Sequence, residues 1–170
     1  MAEPEITYSW AGQLDRLGYL AEFFLRNVSP NYISHGEILT GRAIDGKTWA
    51  PNLREIILKD LTACVESFHG GGASRAAVVT RGGQVLGLAI VELFRNAPNP
   101  HAWIHDLVVD KEVRSHGVGS GMLEWIENEI RSQEIFWVFI ETGIENEQAY
   151  HFFERGGYLT CSRVMKKIIK

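Results

Sequence analysis

Hydrophobic residues in the first part of the chain recur at helical spacing. Over residues 14–28 they fall three and four positions apart until Ser29-Pro30 ends the run, which predicts a first helix. A second helix is predicted over residues 51–68, because proline suits a first helical turn and Gly70-Gly71-Gly72 follows the run. The polar and aromatic segment between them, residues 31–49, is interpreted either as a surface connection or as a ligand-facing loop.

After the three glycines the pattern changes to short runs rich in Val, Leu and Ile, which are typical of strands. Residues 76–80 and 84–94 are joined by Arg81-Gly82-Gly83, and glycine supplies the positive φ angles that a tight hairpin requires. An antiparallel pair is therefore predicted. A third run, residues 102–109, is expected to continue the same sheet.

The later part of the chain alternates strands with helices. A helix is predicted to begin at Val118, and the continuous apolar run at 136–140 predicts a buried strand parallel to the one before the helix. Asn146 is a plausible cap for a short helix that Gly156-Gly157 closes, and a last strand is predicted from Tyr158. The fold class is α/β with a mixed sheet.

Composition narrows the class of protein. A chain of 170 residues is expected to form a single domain over residues 1–170, with 45% hydrophobic residues as in an ordered globular protein. The formal net charge of -4 argues against nucleic acid or anionic lipid as a partner. No apolar run is long enough to span a membrane, and the segment Met1-Ala2-Glu3-Pro4-Glu5 is acidic where a signal peptide would be basic, so we expect a cytoplasmic protein.

The two cysteines, Cys64 and Cys161, do not have the spacing of a redox motif or the density of a disulfide scaffold. We therefore expect a reducing compartment, and both residues are expected to be small members of the core.

The segment from Gly117 to Gly121 carries the clearest chemical signal. The N–H groups of a first helical turn have no partner inside the helix, and the helix dipole adds positive charge there, so glycines at this point favour an anion site. The structural alternative is a turn that the glycines merely shape. A Walker loop is excluded because no Gly-Lys-Ser/Thr tripeptide exists, and a dinucleotide fingerprint is a weak alternative, because Met122 replaces its third glycine.

The pattern Arg114-x-x-Gly117-x-Gly119, between a predicted strand and a predicted helix, resembles the acyl-CoA-binding motif of the GNAT superfamily of N-acetyltransferases. The run from Ile104 to Asp110 is similar to the fourth strand of that family. Residues 140–158 are similar to its fifth strand and the helix that follows. The resemblance covers about residues 75 to 160 and implies the family's mixed, mostly antiparallel sheet with a splayed parallel pair at the acyl-CoA site.

The resemblance implies acetyl-CoA as co-substrate and no metal. Backbone groups on the fourth strand would hold the pantetheine arm, the glycine loop would hold the pyrophosphate, and Arg114 would add charge at the loop entrance. The residues so implied as binding acetyl-CoA are Leu107, Val108, Val109, Arg114, Ser115, His116, Gly117, Val118, Gly119, Ser120, Asn146 and Phe153.

The chain departs from the family at two catalytic positions. His105 stands where many members carry an acidic base, and an imidazole can serve as a base near neutral pH. The alternative for His105 is substrate binding or packing beside Trp103, and Asp106 is the alternate base if a bulge turns it to the same side. Phe153 stands where members carry a tyrosine acid, which leaves Tyr150, one turn earlier, as a candidate.

The resulting hypothesis is acetyl transfer from acetyl-CoA to the primary amine of a small molecule. The alternative from another class is a noncatalytic acyl-CoA-binding or regulatory module, which Phe153 and the missing carboxylate at His105 favour. Glu37 and Asp45 mildly favour a cationic acceptor, and Glu37 is expected to contribute to amine binding. A homodimer is compatible with the resemblance, since dimers are common in the family.

Overall fold

The computed structural model describes residues 4–169, so the first three residues of the acidic N-terminal segment, Met1-Ala2-Glu3, lie outside it. The elements in chain order are β1 (Ile6–Trp10), α1 (Leu17–Asn27), α2 (His35–Leu39), α3 (Leu53–His69), β2 (Ser74–Arg81), β3 (Gln84–Phe94), β4 (His101–Val109), α4 (Val118–Arg131), β5 (Trp137–Ile140) and α5 (Glu147–Arg155). Single turns of 3-10 helix lie at Pro30–Tyr32 and Lys111–Val113. Both long helices predicted in the first part of the chain are confirmed as α1 and α3.

Contacts divide the chain into two compact units, which we describe separately. The first unit contains the described residues up to Val28 together with Asn52–Glu141. The second unit contains Ser29–Pro51 and the described residues from Thr142 onward.

The first unit is built on a five-stranded sheet whose spatial order follows the chain, β1-β2-β3-β4-β5. Neighbouring strands from β1 to β4 are antiparallel, and β4 and β5 are parallel, so the mixed α/β class is confirmed. Gly82 and Gly83 have φ angles of 58° and 83°, which makes the β2–β3 turn one that glycine forms without strain.

Strand β1 was not expected from the sequence. Its five residues do alternate, with Ile6, Tyr8 and Trp10 on one side and Thr7 and Ser9 on the other, but the run is short and none of its residues is fully buried. The strand is held at the sheet edge by its pairing with β2 and by ring contacts to α4, where Tyr8 and Trp10 pack on Trp125 with centroid distances of 6.3 and 4.9 Å.

The core of the first unit lies between the helices and the sheet. Helix α3 packs on α1 and on β2, and α4 packs across β2, β3 and β4. Gly87 of β3 lies close to α4, because a Cβ atom there would stand 3.1 Å from the Met122 sulfur. The largest fully buried side chains of this unit include Phe23, Phe24, Ile57, Leu61, Leu86, Leu88, Met122 and Ile126.

The expectation that residues 136–140 form a fully buried strand is wrong. Strand β5 exists and is parallel to β4, but Phe136 is 75% exposed and Trp137 is 63% exposed. The physical reason is position, since β5 is an edge strand of the sheet. Its apolar residues are therefore available at the surface.

The second unit contains two short helices with side-chain caps. The Ser34 Oγ accepts a hydrogen bond from the Gly36 N–H at 3.0 Å and the Glu37 carboxylate returns to the Ser34 backbone, which forms a capping box for α2. Asn146 Oδ1 accepts a hydrogen bond from the Ala149 N–H at 3.4 Å, so the predicted cap of α5 is confirmed. The segment between the two long helices was interpreted as a surface connection or a ligand-facing loop without a helix, and α2 lies within it.

The last strand predicted from Tyr158 is wrong. Residues 158–169 form no helix or strand in the described chain, and their large apolar side chains stay exposed at Leu159, Val164, Met165, Ile168 and Ile169. A strand needs a hydrogen-bonded neighbour, and this segment joins no ladder of the described sheet. The same segment places Cys161 at the surface, which corrects its expected core position, whereas Cys64 is buried in α3.

No helix among the described residues combines the length and the apolar character required to cross a lipid bilayer. Within residues 4–169, no three or more His, Cys, Asp or Glu side chains are grouped so as to hold a metal ion.

Candidate functional site

The connection from β4 to α4 is a loop with unusual backbone angles. Asp110 begins it by accepting a hydrogen bond from the Glu112 N–H at 3.0 Å, which caps the short 3-10 turn. Ser115 and Gly117 then adopt φ angles of 66° and 82°. A left-handed φ angle is ordinary for glycine but uncommon for serine, so the surrounding structure must hold Ser115 in this conformation.

The loop ends by presenting the N-terminus of α4. The Gly121 N–H donates to the Gly117 carbonyl at 2.9 Å, so the N–H groups of Val118, Gly119 and Ser120 lie ahead of the helical ladder. Val118 is 4% exposed as a whole residue, so its side chain packs in the core. An anion at this point would meet the free backbone donors of the first turn and the positive end of the helix dipole, and the anion site stays a prediction.

Gly121 has a different role from the one the sequence suggested. A Cβ atom at this position would stand 2.3 Å from the Tyr8 hydroxyl oxygen. Its lack of a side chain is thus required for the packing of β1 on α4, whereas a Cβ atom at Gly117 would meet nothing within 4 Å.

Arg114 braces this loop. Its guanidinium donates to the backbone carbonyl of Asn27 at 2.7 Å and to that of Val109 at 3.3 Å, which ties the end of α1 to the end of β4. Arg114 was expected to add charge at the loop entrance, and these hydrogen bonds give its guanidinium a structural contact there as well. His116, two residues after Arg114, turns its Nδ1 to the Arg114 carbonyl at 2.8 Å.

Asn27 is a site residue that sequence reasoning missed. Its side chain is almost fully buried, donates to the Phe23 carbonyl at 2.9 Å and accepts from the Lys111 N–H at 2.9 Å. Eighty-four positions separate Asn27 from Lys111, so no local pattern could have revealed the contact. The single side chain fixes where the loop leaves β4.

The parallel ladder between β4 and β5 is short. It joins His101–Ile104 to Trp137–Ile140, and it ends where β5 ends, so β4 continues from His105 to Val109 without a β5 partner. The predicted Leu107, Val108 and Val109 lie on the continuation of β4, just before the loop. Val108 is buried, whereas Leu107 and Val109 are half-buried, so this segment leads to the loop along a partly accessible strand.

A bulge interrupts β4 at the predicted catalytic pair. Ile90 pairs with Asp106 and the next residue, Val91, pairs with Ile104, so His105 is the extra residue on β4. His105 is exposed, while Asp106 is only 1% exposed. Of the two candidates, His105 is the one that an external molecule can reach directly.

Glu92 is the second residue that sequence reasoning missed. Its Oε2 lies 3.0 Å from Nε2 of His105, and the two side chains are 33% and 45% exposed. A carboxylate only accepts, so the Nε2 N–H of His105 donates this hydrogen bond. His105 also stacks beside Trp103 with a centroid distance of 6.3 Å, which confirms the packing that was considered for it.

The remaining predicted residues belong to the second unit. Asn146 caps α5, and Phe153 is 8% exposed, with edge contacts to the rings of Phe152 and Tyr158. The hydroxyl of Tyr150 lies 3.0 Å from the Thr160 hydroxyl, and the ring is 41% exposed. Tyr150 is thus an accessible hydroxyl, and Phe153 packs as an apolar residue.

Glu37 does not face solvent as expected of an acceptor-binding carboxylate. It is 6% exposed, and its Oε2 accepts from both the backbone N–H and the hydroxyl of Ser34 at 2.7 Å. The capping box explains its position, and its contribution to amine binding stays a prediction.

Comparison with known families gives a match over residues 47–158, which fit the model of the acetyltransferase (GNAT) family. No curated protein matches this sequence.

Solved structures share the fold at low sequence identity. The aminoglycoside N-acetyltransferase AAC(6')-Iy in complex with CoA is 11% identical with a TM-score of 0.72, over 99% of this chain and 97% of that one. A possible acetyltransferase from Clostridium difficile 630 is 20% identical with a TM-score of 0.67, over 97% of both chains. An aminoglycoside acetyltransferase from an uncultured soil metagenomic sample, in complex with sisomicin, is 13% identical with a TM-score of 0.64, over 97% of this chain and 95% of that one.

Proposed function

The chain belongs to the acetyltransferase (GNAT) family, and from this premise we propose that it transfers an acetyl group from acetyl-CoA to the primary amine of a small molecule. The observation that carries the proposal is the left-handed loop at Ser115 and Gly117, which leads into the open N-terminus of α4. That geometry suits a pyrophosphate, since backbone N–H groups and the helix dipole both favour an anion there.

The residues present fit acetyl-CoA as a substrate. The N–H groups of Val118, Gly119 and Ser120 would hold the pyrophosphate together with the loop residues Ser115, His116 and Gly117. Leu107, Val108 and Val109 would offer backbone groups to the pantetheine arm, because β4 runs directly into the loop and its pairing with β5 ends at Ile104. Asn146 and Phe153 remain predicted acyl-CoA contacts on the strength of the family resemblance.

Proximity supplies most of the catalysis in the proposed reaction. A neutral amine attacks the thioester carbonyl, the C–N bond forms, the C–S bond breaks, and CoA leaves as a thiolate that takes up a proton. His105 would remove the proton from the amine nitrogen through Nδ1, directly or through water. Glu92 would orient His105 by accepting from Nε2 at 3.0 Å. Asp106 is the alternate base.

Members of the family carry a tyrosine that protonates the leaving thiolate, and this chain has Phe153 at that position. A thiol with a pKa of about 8.5 is a tolerable leaving group, so solvent can complete the step. Tyr150 is the candidate acid in this chain, since its hydroxyl is accessible.

A turnover assay separates this enzyme from a noncatalytic acyl-CoA-binding module, which the apolar Phe153 favours. Purified protein is incubated with acetyl-CoA and a panel of primary amines, and free CoA thiol is measured against time. We expect thiol release that depends on the amine and an acetylated product by mass spectrometry. Acetyl-CoA binding by calorimetry without release for any amine would establish the noncatalytic alternative.

A further inference from the structure

A row of aromatic rings lies on one face of the sheet beside His105. In the β3–β4 ladder Glu92 pairs with Trp103, and in the β4–β5 ladder His101 pairs with Trp137 and Trp103 pairs with Phe139. Directly paired residues project to the same face of a sheet. The aromatic row is defined here as Phe94, His101, Trp103, His105, Trp137 and Phe139.

The rings of this row are nearly parallel where they approach His105. The Trp103 ring is 6.3 Å from that of His105 at an interplanar angle of 13°, and 5.5 Å from that of Phe139 at 27°. The Phe139 ring is 6.4 Å from that of Trp137 at 13°. The row therefore runs as a continuous stack from the proposed base to the edge of the sheet.

The aromatic row is not part of the core. Trp103 and Phe139 are half-buried, and Trp137 is 63% exposed. The core side chains of β4, Ala102 and Ile104, are at most 2% exposed. A contiguous exposed apolar surface that ends at a polar pair is the arrangement of a binding site.

We propose that the aromatic row binds the acceptor, and that the acceptor is a primary amine carrying an aromatic ring on a short alkyl chain. This inference rests on the proposed acetyl transfer and names its substrate class. The ammonium form of the amine is drawn to the Glu92 carboxylate, and it gives one proton to His105 before the neutral nitrogen attacks the thioester. The aromatic ring of the acceptor packs on Trp103 and Phe139.

Charge and apolar surface both favour this class of amine. The Glu92 carboxylate beside His105 attracts an ammonium group, and the Trp103 ring lies next to His105 on the same row. A polyhydroxylated acceptor would leave hydroxyl groups without partners against the rings, which costs binding free energy. An aromatic ring gains edge and face contacts with them.

The experiment compares two amines that differ only in aromaticity. Phenylethylamine and cyclohexylethylamine have the same linker and similar apolar size, and putrescine serves as a cation without a ring. Binding of each amine is measured by calorimetry in the presence of CoA, and turnover is measured by thiol release. The variants are Trp103→Leu, the conservative Trp103→Phe, and Trp125→Leu as a matched control on α4, where the ring packs on Tyr8 and Trp10.

The expected result is a preference of about three- to tenfold for phenylethylamine over cyclohexylethylamine in Kd and in kcat/KM. Trp103→Leu should remove that preference, Trp103→Phe should keep most of it, and Trp125→Leu should leave it intact. Equal binding of the two amines, tighter binding of putrescine, or a preference that survives Trp103→Leu would overturn the proposal.

The binding readout keeps this inference distinct from the proposed reaction. If no amine is acetylated but phenylethylamine still binds with a preference that depends on Trp103, the reaction is wrong and the aromatic site stands. If putrescine or cyclohexylethylamine is acetylated as well as phenylethylamine, the reaction stands and the assigned substrate class fails.

Discussion

The loop from Asp110 to Gly121 and the aromatic row are proposed to bind their ligands in opposite ways. The loop would bind through backbone N–H groups, and two of its side chains are engaged elsewhere, because Val118 is buried and Arg114 donates to backbone carbonyls. The aromatic row presents side chains, and its backbone is committed to β-sheet ladders. The comparison teaches that the loop should be sensitive to backbone shape, whereas the row should be sensitive to the chemistry of single side chains.

The largest expected effect comes from the side-chain region. His105→Ala should lower kcat by about 10² to 10⁴, the range for loss of a general base, with little change in the Kd of acetyl-CoA. Rates measured from neutral to acidic pH provide the check, because the pH dependence that the imidazole gives the parent should be absent from the variant. An unchanged rate and pH profile would transfer the role to Asp106 or to solvent.

The next effect is expected in the backbone region. Gly119→Val places a branched side chain where the phosphate approaches, so the Kd of CoA should rise by about 10- to 100-fold through lost charge-assisted hydrogen bonds. Calorimetry measures this directly. Gly18→Val is a matched control, because Gly18 is also the second residue of a helix and a Cβ atom there meets its nearest neighbour, Arg54, at an ordinary 3.7 Å. Equal CoA binding by Gly119→Val and the parent would mean that the pyrophosphate lies elsewhere.

A smaller effect tests whether the loop depends on its support from α1. Asn27→Ala leaves the Lys111 N–H without its acceptor, which should lower the free energy of unfolding by about 1–3 kcal/mol and weaken CoA binding severalfold. Denaturant unfolding and calorimetry give the two values. Asn128→Ala removes an exposed amide on α4 and serves as the control. A destabilised variant with unchanged CoA affinity would show that α1 does not position the loop.

The smallest effect is expected at Asp45, which belongs to neither region. Hydrogen bonds from the Lys47 N–H, at 2.8 Å, and from the Thr48 hydroxyl lower the pKa of this exposed carboxyl. A lowered pKa means that its stabilising contribution is present above the unfolded value of about 3.9 and is lost as the pH falls through the folded value. Asp45→Asn should therefore slightly flatten the acid decline of Tm in thermal melts. Thr48→Val should reproduce part of this change, and identical melts for all three proteins would refute it.

Local patterns carried the predictions that were confirmed. The glycine turn at Gly82-Gly83, the helix after Gly117 and the Asn146 cap each depend on neighbours within a few residues. The bulge at His105 was anticipated only through the family resemblance, because no feature of the neighbouring residues indicates that β4 carries an extra residue there.

Contacts between distant parts of the chain account for what the sequence did not reveal. Asn27 meets Lys111 across 84 positions, and Glu92 meets His105 across the β3–β4 hairpin. The aromatic row draws on three strands, so its residues look like ordinary core positions in the linear sequence. The prediction for the segment after Tyr158 failed for the converse reason. Its apolar residues suggested a strand, but no strand among the described residues pairs with it.

The order of the sheet has a consequence for how the first unit acquires its structure. Strands β2, β3 and β4 follow one another in the chain, so their pairing closes only short loops, whereas Ile6 of β1 must find Arg81. Short-range pairing costs less loop entropy and is therefore expected in the folding transition state. Substitutions in the Gly82-Gly83 turn should then slow folding, and substitutions in β1 should mainly speed unfolding.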